Sequence, residues 1–315
     1  MKFTTGLIGY TGFVGSNLSQ QTKFDKYYNS TNIKTIIGHE FGLIVCTGVN
    51  AVKWLANQQP EADAKNIEKL KICLAQTKIN HLVLISTIDI YDLPIEVNED
   101  SIPNLQQQDY YGKHRYQFEQ WITKQTNIKQ YTIIRLPSLF GNNLKKNLVF
   151  DIMNPLAQSV NQVLWQELKT NLSNTNLDLI AKYYIADKSG NLKQKSELTT
   201  EQKNQLIKAF ASIGFSALNF TDSRSSFQFY NLANLWNDIK KFAITKQLKI
   251  INLSSEPIIA TELIYYVTKE KFTNHTTKGP VYYAMYSKYA LNNQYLYYKK
   301  DILKQINNLV MRNIE

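Results

Sequence analysis

Residues 3–15 read FTTGLIGYTGFVG. Phe3 to Ile8 has the length and apolar character of a buried strand, Gly9 to Gly15 is a glycine-rich turn, and Phe13 to Gln21 reads as a helix with Val14 and Leu18 on one face. Gly9, Gly12 and Gly15 thus form GxxGxxG directly after a strand and across the start of a helix. Glycine there lets the backbone approach a pyrophosphate, and the helix turns its first N–H groups and positive dipole end toward the anion. In this context the pattern predicts a dinucleotide-binding turn; without the flanking strand and helix it would be an ordinary glycine turn.

Alternation continues outward from that turn. Phe24 to Tyr28, Phe41 to Thr47, His81 to Ser86 (HLVLIS) and Tyr131 to Leu136 (YTIIRL) read as strands. Ala62 to Thr77, with Ile67, Leu70 and Leu74 spaced for burial, and Tyr110 to Thr123 read as helices. Continuously apolar strands separated by helices require crossover connections, so the chain is expected to be α/β, a doubly wound, mostly parallel sheet of the Rossmann type. Residues 1–150 form the expected dinucleotide-binding domain. Residues 151–315, richer in Lys, Asn and Ser and helical over Asn154 to Leu168 and Thr200 to Ala211, form a smaller substrate-binding region. Within it Phe227 to Tyr230 and Leu248 to Leu253 (LKIINL) look like strands that return to the first sheet. The tyrosines between Tyr282 and Tyr298 suit half-buried edge packing better than base stacking.

Composition narrows the function. The 315 residues are 43% hydrophobic, which excludes disordered and fibrous classes. The net charge of +11 is spread as pairs such as Lys145/Lys146, Lys240/Lys241 and Lys299/Lys300; it draws in anionic ligands but lacks the clustered stripe of a nucleic-acid binder. No apolar run reaches the roughly 18 residues of a membrane span, and the glycine-interrupted start does not read as a signal peptide. Cys46 and Cys73 show neither CxxC nor metal-ligand spacing, which fits a reducing, cytoplasmic compartment. His39, His81, His114 and His275 share no ligand spacing, so no metal site is expected; His114 is expected to face outward from its helix.

The acidic residue that commonly holds the adenine ribose about 20 positions after such a turn is absent, and Asn29 stands there. Asn29 can hydrogen-bond a 2′-hydroxyl and does not repel a 2′-phosphate, which leaves NAD and NADP both open. Tyr111 and Arg115, four residues apart on a helix, share a face; a cation beside a phenol favours its ionised form and brings it toward acid/base use, whereas the bland alternative is a surface pair.

Five segments in order resemble the extended short-chain dehydrogenase/reductase family, the group that contains nucleotide-sugar epimerases and dehydratases: GYTGFVG at 9–15, VCTG at 45–48, LISTIDIY at 84–91, YGKHR at 111–115 in the place of YxxxK, and RLPSLFG at 135–141. The resemblance implies NAD or NADP bound through Gly9, Thr11, Gly12, Phe13, Val14, Gly15, Asn29 and Thr47, with Arg115 on the nicotinamide ribose. It implies catalysis by Tyr111 as proton carrier, with Arg115 tuning it and Thr87 hydrogen-bonding the substrate oxygen. Ser138 falls where the epimerases place a substrate-contacting Asn. Arg224, in SRSSFQFYNL, falls where an arginine meets the substrate diphosphate, the competing account being a solvated loop arginine. The implied activity is that of an oxidoreductase, epimerase or dehydratase on a nucleotide-linked or phosphorylated sugar, with the helices at 62–77 and 110–123 pairing two copies into a homodimer. Arg115, Asn29 and Ser138 depart from the pattern together, and this motivates the alternative of a catalytically silent NAD(P)-binding sensor or scaffold.

Overall fold

In the computed structural model, which describes residues 4–106 and 109–314, the first strand is Thr5–Ile8 (β1); Phe3, expected to open it, lies outside the described residues. The helix Phe13–Ser19 (α1) follows, then the strands Lys26–Tyr28 (β2) and Glu40–Cys46 (β3) and the helices Lys53–Gln58 (α2) and Pro60–Ala75 (α3). The strand Lys78–Thr87 (β4), the helix Tyr110–Ile122 (α4) and the strand Ile128–Leu136 (β5) complete the first stretch. The short helix α2 has no counterpart in the sequence reading.

Six strands form one sheet in the order Ile250–Asn252, β5, β4, β3, β1, β2, every neighbouring pair parallel. Successive residues of a strand face opposite sides, and here both sides are apolar. Ile8, Cys46 and Leu84 belong to one core with Ile67, Leu70 and Leu74 of α3 and Phe118 and Ile122 of α4. Their neighbours Leu7, Val45 and Val83 belong to another with Leu18 of α1, Leu235, Ile239 and Phe242. The chain steps outward from β1 to β2 and then returns to β3 on the other side, which opens a crevice at the carboxyl ends of β1 and β3 where α/β sheets take ligands. Ile250–Asn252 pairs with β5, Ile251 opposite Ile134, so the 248–253 segment joins the sheet as expected; the 227–230 segment does not, because Phe229–Asn231 pairs instead with Ser138–Phe140, beyond the Pro137 that ends β5, in a separate two-stranded sheet.

The chain divides into two units: residues up to Leu144 with 226–258 and 282–305, and residues 145–225 with 259–281 and the segment from Ile306 onward. In the second unit, Ser159–Val160, Leu192–Gln194 and Tyr184–Ala186 form a small antiparallel sheet. Val160, Ile180, Leu206 and Phe210 make its core, with the helices Asn174–Tyr183 and Thr200–Ala211. The helix expected over Asn154 to Leu168 is shorter. Helical turns end at Met153, Pro155 cannot donate a backbone N–H, and a new helix begins only at Gln162, where Asn161 Oδ1 accepts the Leu164 N–H at 2.9 Å.

β2 begins later than expected: the Phe24 N–H donates to the Tyr27 hydroxyl at 2.9 Å and the Asp25 N–H to Thr5 Oγ1 at 3.1 Å, so side chains take the backbone donors that a longer strand would pair. Of the carboxyl-terminal tyrosines, Tyr297 donates to Asp238 beside Tyr230, and Tyr286 packs edge-on to Tyr295 at 5.3 Å. Among the described residues, no helix is long and apolar enough to cross a membrane.

Candidate active site

The three glycines of the first turn answer to different demands. Gly9 has φ +87°, and a Cβ there would lie 2.6 Å from the Thr47 backbone. At Gly15 a Cβ would lie 2.1 Å from the Gly9 carbonyl oxygen, because α1 rests on the turn. Gly12 has an ordinary φ of −77°, is exposed, and its Cβ would meet only the Gly9 carbonyl oxygen, at 3.3 Å. Protein packing therefore requires the first and third glycines, while the second leaves open surface at the start of α1. As N-cap, Gly12 offers no side chain to the first-turn N–H groups, which an external anion can take instead. That arrangement fits a pyrophosphate.

Thr47 fastens the turn from β3: its N–H and its hydroxyl both donate to Ile8 O at 2.8 Å. Thr11 is exposed, and Phe13 and Val14 are half-buried against the core beneath. Gly9 N–H donates to Tyr28 O at 2.7 Å, which places Asn29 next to the turn.

Tyr111 is set by the opening turn of α4. Asp109 is the N-cap, its Oδ1 accepting the Gly112 N–H at 2.9 Å, and Asn57 Oδ1 accepts the Tyr111 N–H at 2.9 Å. Asn57 also donates to Asp109 at 3.1 Å. Gly112 lets α4 close on the turn after β4, since a Cβ there would lie 2.0 Å from the Asp89 carbonyl oxygen. The result brings the buried Tyr111 hydroxyl to the Thr87 side chain at the end of β4. Burial pushes the Tyr111 phenol up, and the Asp89 carboxylate adds to this, outweighing the cations Arg115 and Lys53 and the Thr87 hydrogen bond. Thr87 Oγ1 accepts the Asp89 N–H at 3.1 Å.

Lys53 and Asn57, four apart on α2, share the face toward α4. Lys53 Nζ lies 2.8 Å from Asp89 Oδ1 and 3.3 Å from Asp109 Oδ2. Burial opposes its charge, but Asp89 and its other anionic neighbours win and raise the ammonium above its ordinary value. Tyr283, hydrogen-bonded to Asp89, is pushed up chiefly by burial.

Arg115 shares a face with Tyr111, as the four-residue spacing predicts, and its charge favours the ionised phenol. Its guanidinium carbon lies 3.8 Å from the centre of the Tyr111 ring, over the face rather than at the hydroxyl. Nη1 and Nη2 donate to the two oxygens of Asp63, on α3, at 2.5 and 2.9 Å, and Nη2 also donates to Asn50 O. Nε, buried, has no partner among the described residues. His114, expected to face outward, is drawn inward by the same carboxylate, with Nδ1 2.8 Å from Asp63 Oδ2. Burial alone would raise the Asp63 pKa; hydrogen bonds and charge from Arg115 and His114 lower it.

Ser138 is half-buried, and its N–H donates to Gln228 O at 3.1 Å. Arg224 belongs to the second unit, where Nε and Nη2 meet the Asp222 carboxylate at 2.9 and 2.8 Å and hold it well below the usual carboxylate range. Gly9, Gly12, Gly15, Asn29, Thr47, Thr87, Tyr111, Arg115 and Ser138 all lie in the first unit.

Sequence reasoning missed Lys53, Asn57, Asp63, Asp89, Asp109 and Tyr283. The Lys53/Asn57 spacing, and Asp109 before a helix start, are visible signals; nothing local links Tyr283 to Asp89.

No family model matches the chain, and no curated protein sequence matches it. Its fold is similar to that of solved structures. The dTDP-4-dehydrorhamnose reductase of Bacillus anthracis str. Ames, in complex with NADP, is 14% identical over 99% of both chains, with a TM-score of 0.61. The UDP-glucose 4-epimerase of Thermotoga maritima, with UDP-glucose, is 10% identical over 99% of this chain and 100% of that one, with a TM-score of 0.59. MoeE5, in complex with UDP-glucose and NAD, is 11% identical over 99% of this chain and 100% of that one, with a TM-score of 0.62. These likenesses extend across nearly the whole chain and establish the α/β Rossmann-type fold.

Proposed function

We propose that the protein is an NAD(P)-dependent oxidoreductase, epimerase or dehydratase acting on a nucleotide-linked or phosphorylated sugar. The observation that carries this reading is the Tyr111 hydroxyl held beside Thr87 at the carboxyl end of β4, in the same sheet whose β1 ends in a glycine turn open at Gly12. The similar structures, which hold NADP, NAD or UDP-glucose, support the same reading.

Gly9, Gly12 and Gly15 would hold the pyrophosphate, Phe13 and Val14 presenting first-turn N–H groups to it, while Thr11 and Asn29 border the site and Thr47 keeps its shape. When bound, the nicotinamide supplies or accepts the hydride. Thr87 orients the substrate oxygen by hydrogen bonding, and Tyr111 Oη moves the proton to or from that oxygen. The raised phenol is neutral near pH 7 and therefore suited to donating a proton to a carbonyl oxygen as it gains charge. Arg115 stiffens the Tyr111 ring from its face and, through Asp63, ties α4 to α3. Ser138 and Arg224 are the remaining substrate-side residues of the proposal, Arg224 as a phosphate partner. Assembly as a homodimer and a cytoplasmic location belong to the same reading.

A second reading, a dinucleotide-binding sensor or scaffold without turnover, is favoured by one observation: Asp63 and Asn50 take donors of both Arg115 Nη groups at the position implied to serve the ribose. Turnover across a panel of nucleotide sugars with each coenzyme, alongside Tyr111→Phe, separates the two. Enzyme chemistry predicts turnover that Tyr111→Phe reduces at least about a hundredfold. Saturable coenzyme binding without turnover on any sugar supports the sensor, and turnover unchanged in Tyr111→Phe removes the mechanism.

A further inference from the structure

The helix α2 adds little to the core: of its six residues only Ala56 is buried, and a helix this short does not hold its shape unaided. What it supplies is two polar side chains, Lys53 and Asn57, one above the other on the face toward α4. The first intrahelical bond of α4 runs from the Lys113 N–H to Asp109 O at 3.0 Å, so the N–H groups of Tyr111 and Gly112 need partners of another kind. Asp109 Oδ1 takes the Gly112 N–H and Asn57 Oδ1 takes the Tyr111 N–H, both at 2.9 Å. Because that oxygen accepts a backbone N–H, the Asn57 amide orientation is fixed, and its NH2 meets Asp109 Oδ2 at 3.1 Å. Both ends of one amide are spent on the start of α4. Lys53 anchors the same short helix, reaching Asp89 Oδ1 at 2.8 Å and Asp109 Oδ2 at 3.3 Å. The turn that follows Thr87 and the helix start that carries Tyr111 are thereby tied to one element.

We propose that Asn57 is a positioning residue for the proton carrier, fixing the start of α4 so that the Tyr111 hydroxyl is held at Thr87. The proposal rests on the reading that Tyr111 moves the substrate proton. Asn57 carries no charge and bonds Tyr111 through the backbone N–H, so it acts on the phenol through position; Arg115 and Lys53 act on it through their charges. The amide suits both halves of the task. A carboxylate at 57 would face the Asp109 carboxylate, and an ammonium would offer no acceptor to the Tyr111 N–H. Proton transfer needs its partners within hydrogen-bond reach, so a loosened helix start costs rate rather than substrate binding.

Asn57→Ala removes both bonds without changing any charge, and alanine, the best helix former, keeps α2 helical. Gln58→Ala, at the exposed neighbouring position, is the control. Folding is checked by circular dichroism and thermal melting. The Tyr111 ionisation is read by ultraviolet difference titration against the matching Tyr111→Phe protein, and kcat and KM are read on sugar conversion. In Asn57→Ala the Tyr111 transition is expected to move down by about half a pH unit or more toward the ordinary phenol value, as water reaches a hydroxyl no longer held. With it kcat should fall about tenfold or more while KM stays within about threefold of wild type. Gln58→Ala should leave all three unchanged. A lower melting temperature with the wild-type transition and kcat, a change in only one of the two, or the same changes in Gln58→Ala overturns the proposal. Wild type that turns over no sugar overturns the functional reading instead, and the Tyr111 transition then still decides whether Asn57 places the phenol, so the two failures are told apart.

Discussion

Arg115 and Asp63 share two parallel N–H···O contacts, at 2.5 and 2.9 Å, with both side chains almost wholly buried. The fork geometry suits a carboxylate in a way an ammonium would not, so arginine at this position is matched to Asp63. Arg115 thereby joins α4 to α3 and lies flat over Tyr111.

Removing one member of that pair leaves the other buried and uncompensated. Asp63→Ala should destabilise the protein by about 3 kcal/mol or more, seen as a lower denaturant midpoint with an unchanged slope. A change near zero would mean that the pair does not hold the two helices together.

The same carboxylate sets an acid limit. Its folded pKa is depressed, so its stabilisation is fully present above the ordinary Asp value of about 4 and is lost as pH falls through the lower folded value. Stability followed from pH 7 downward should therefore fall below about pH 4, and Asp63→Asn should flatten that part of the curve.

Gly112 is the contact on which the Tyr111 position depends. Gly112→Ala would set a methyl 2.0 Å from a backbone oxygen, so the start of α4 must lift from the turn after β4. The expected outcome is a loss of about 1–3 kcal/mol in stability together with a larger loss of turnover, measured by denaturation and by sugar conversion. Wild-type turnover in this variant would separate the chemistry from the Tyr111–Thr87 arrangement.

Tyr111 should ionise above the ordinary phenol range, near pH 10. The ultraviolet difference titration of wild type against Tyr111→Phe reads that one phenol. Lys53→Met removes a cation that lowers its pKa and should move the transition further upward. A Tyr111 transition below pH 10 contradicts the burial argument.

Where the sequence was locally decisive, the fold was legible. Ile8, Cys46 and Leu84 and their neighbours Leu7, Val45 and Val83 are apolar on both parities, which is the mark of strands covered on two faces, and the sheet places them so. The break within 154–168 is equally local in origin, since Pro155 lacks the N–H that a helix continuing from Met153 would need. Site residues were legible where spacing fixes them, as with Tyr111 and Arg115 on one helix. What Arg115 does was not, because its partner Asp63 lies 52 residues away and only the packing of α3 on α4 brings them together. The Lys53–Asp89 pair was hidden for the same reason, its members lying 36 residues apart.

The most direct test uses Gly12, the member of the turn's three glycines with the most room for a side chain. Reduced coenzyme is titrated into wild type and Gly12→Val and followed by nicotinamide fluorescence, with thermal melting as a control. Saturable binding by wild type, abolished in Gly12→Val at an unchanged melting temperature, is the outcome expected if the turn holds the pyrophosphate. No binding of either coenzyme to wild type, or undiminished binding to Gly12→Val, would contradict it.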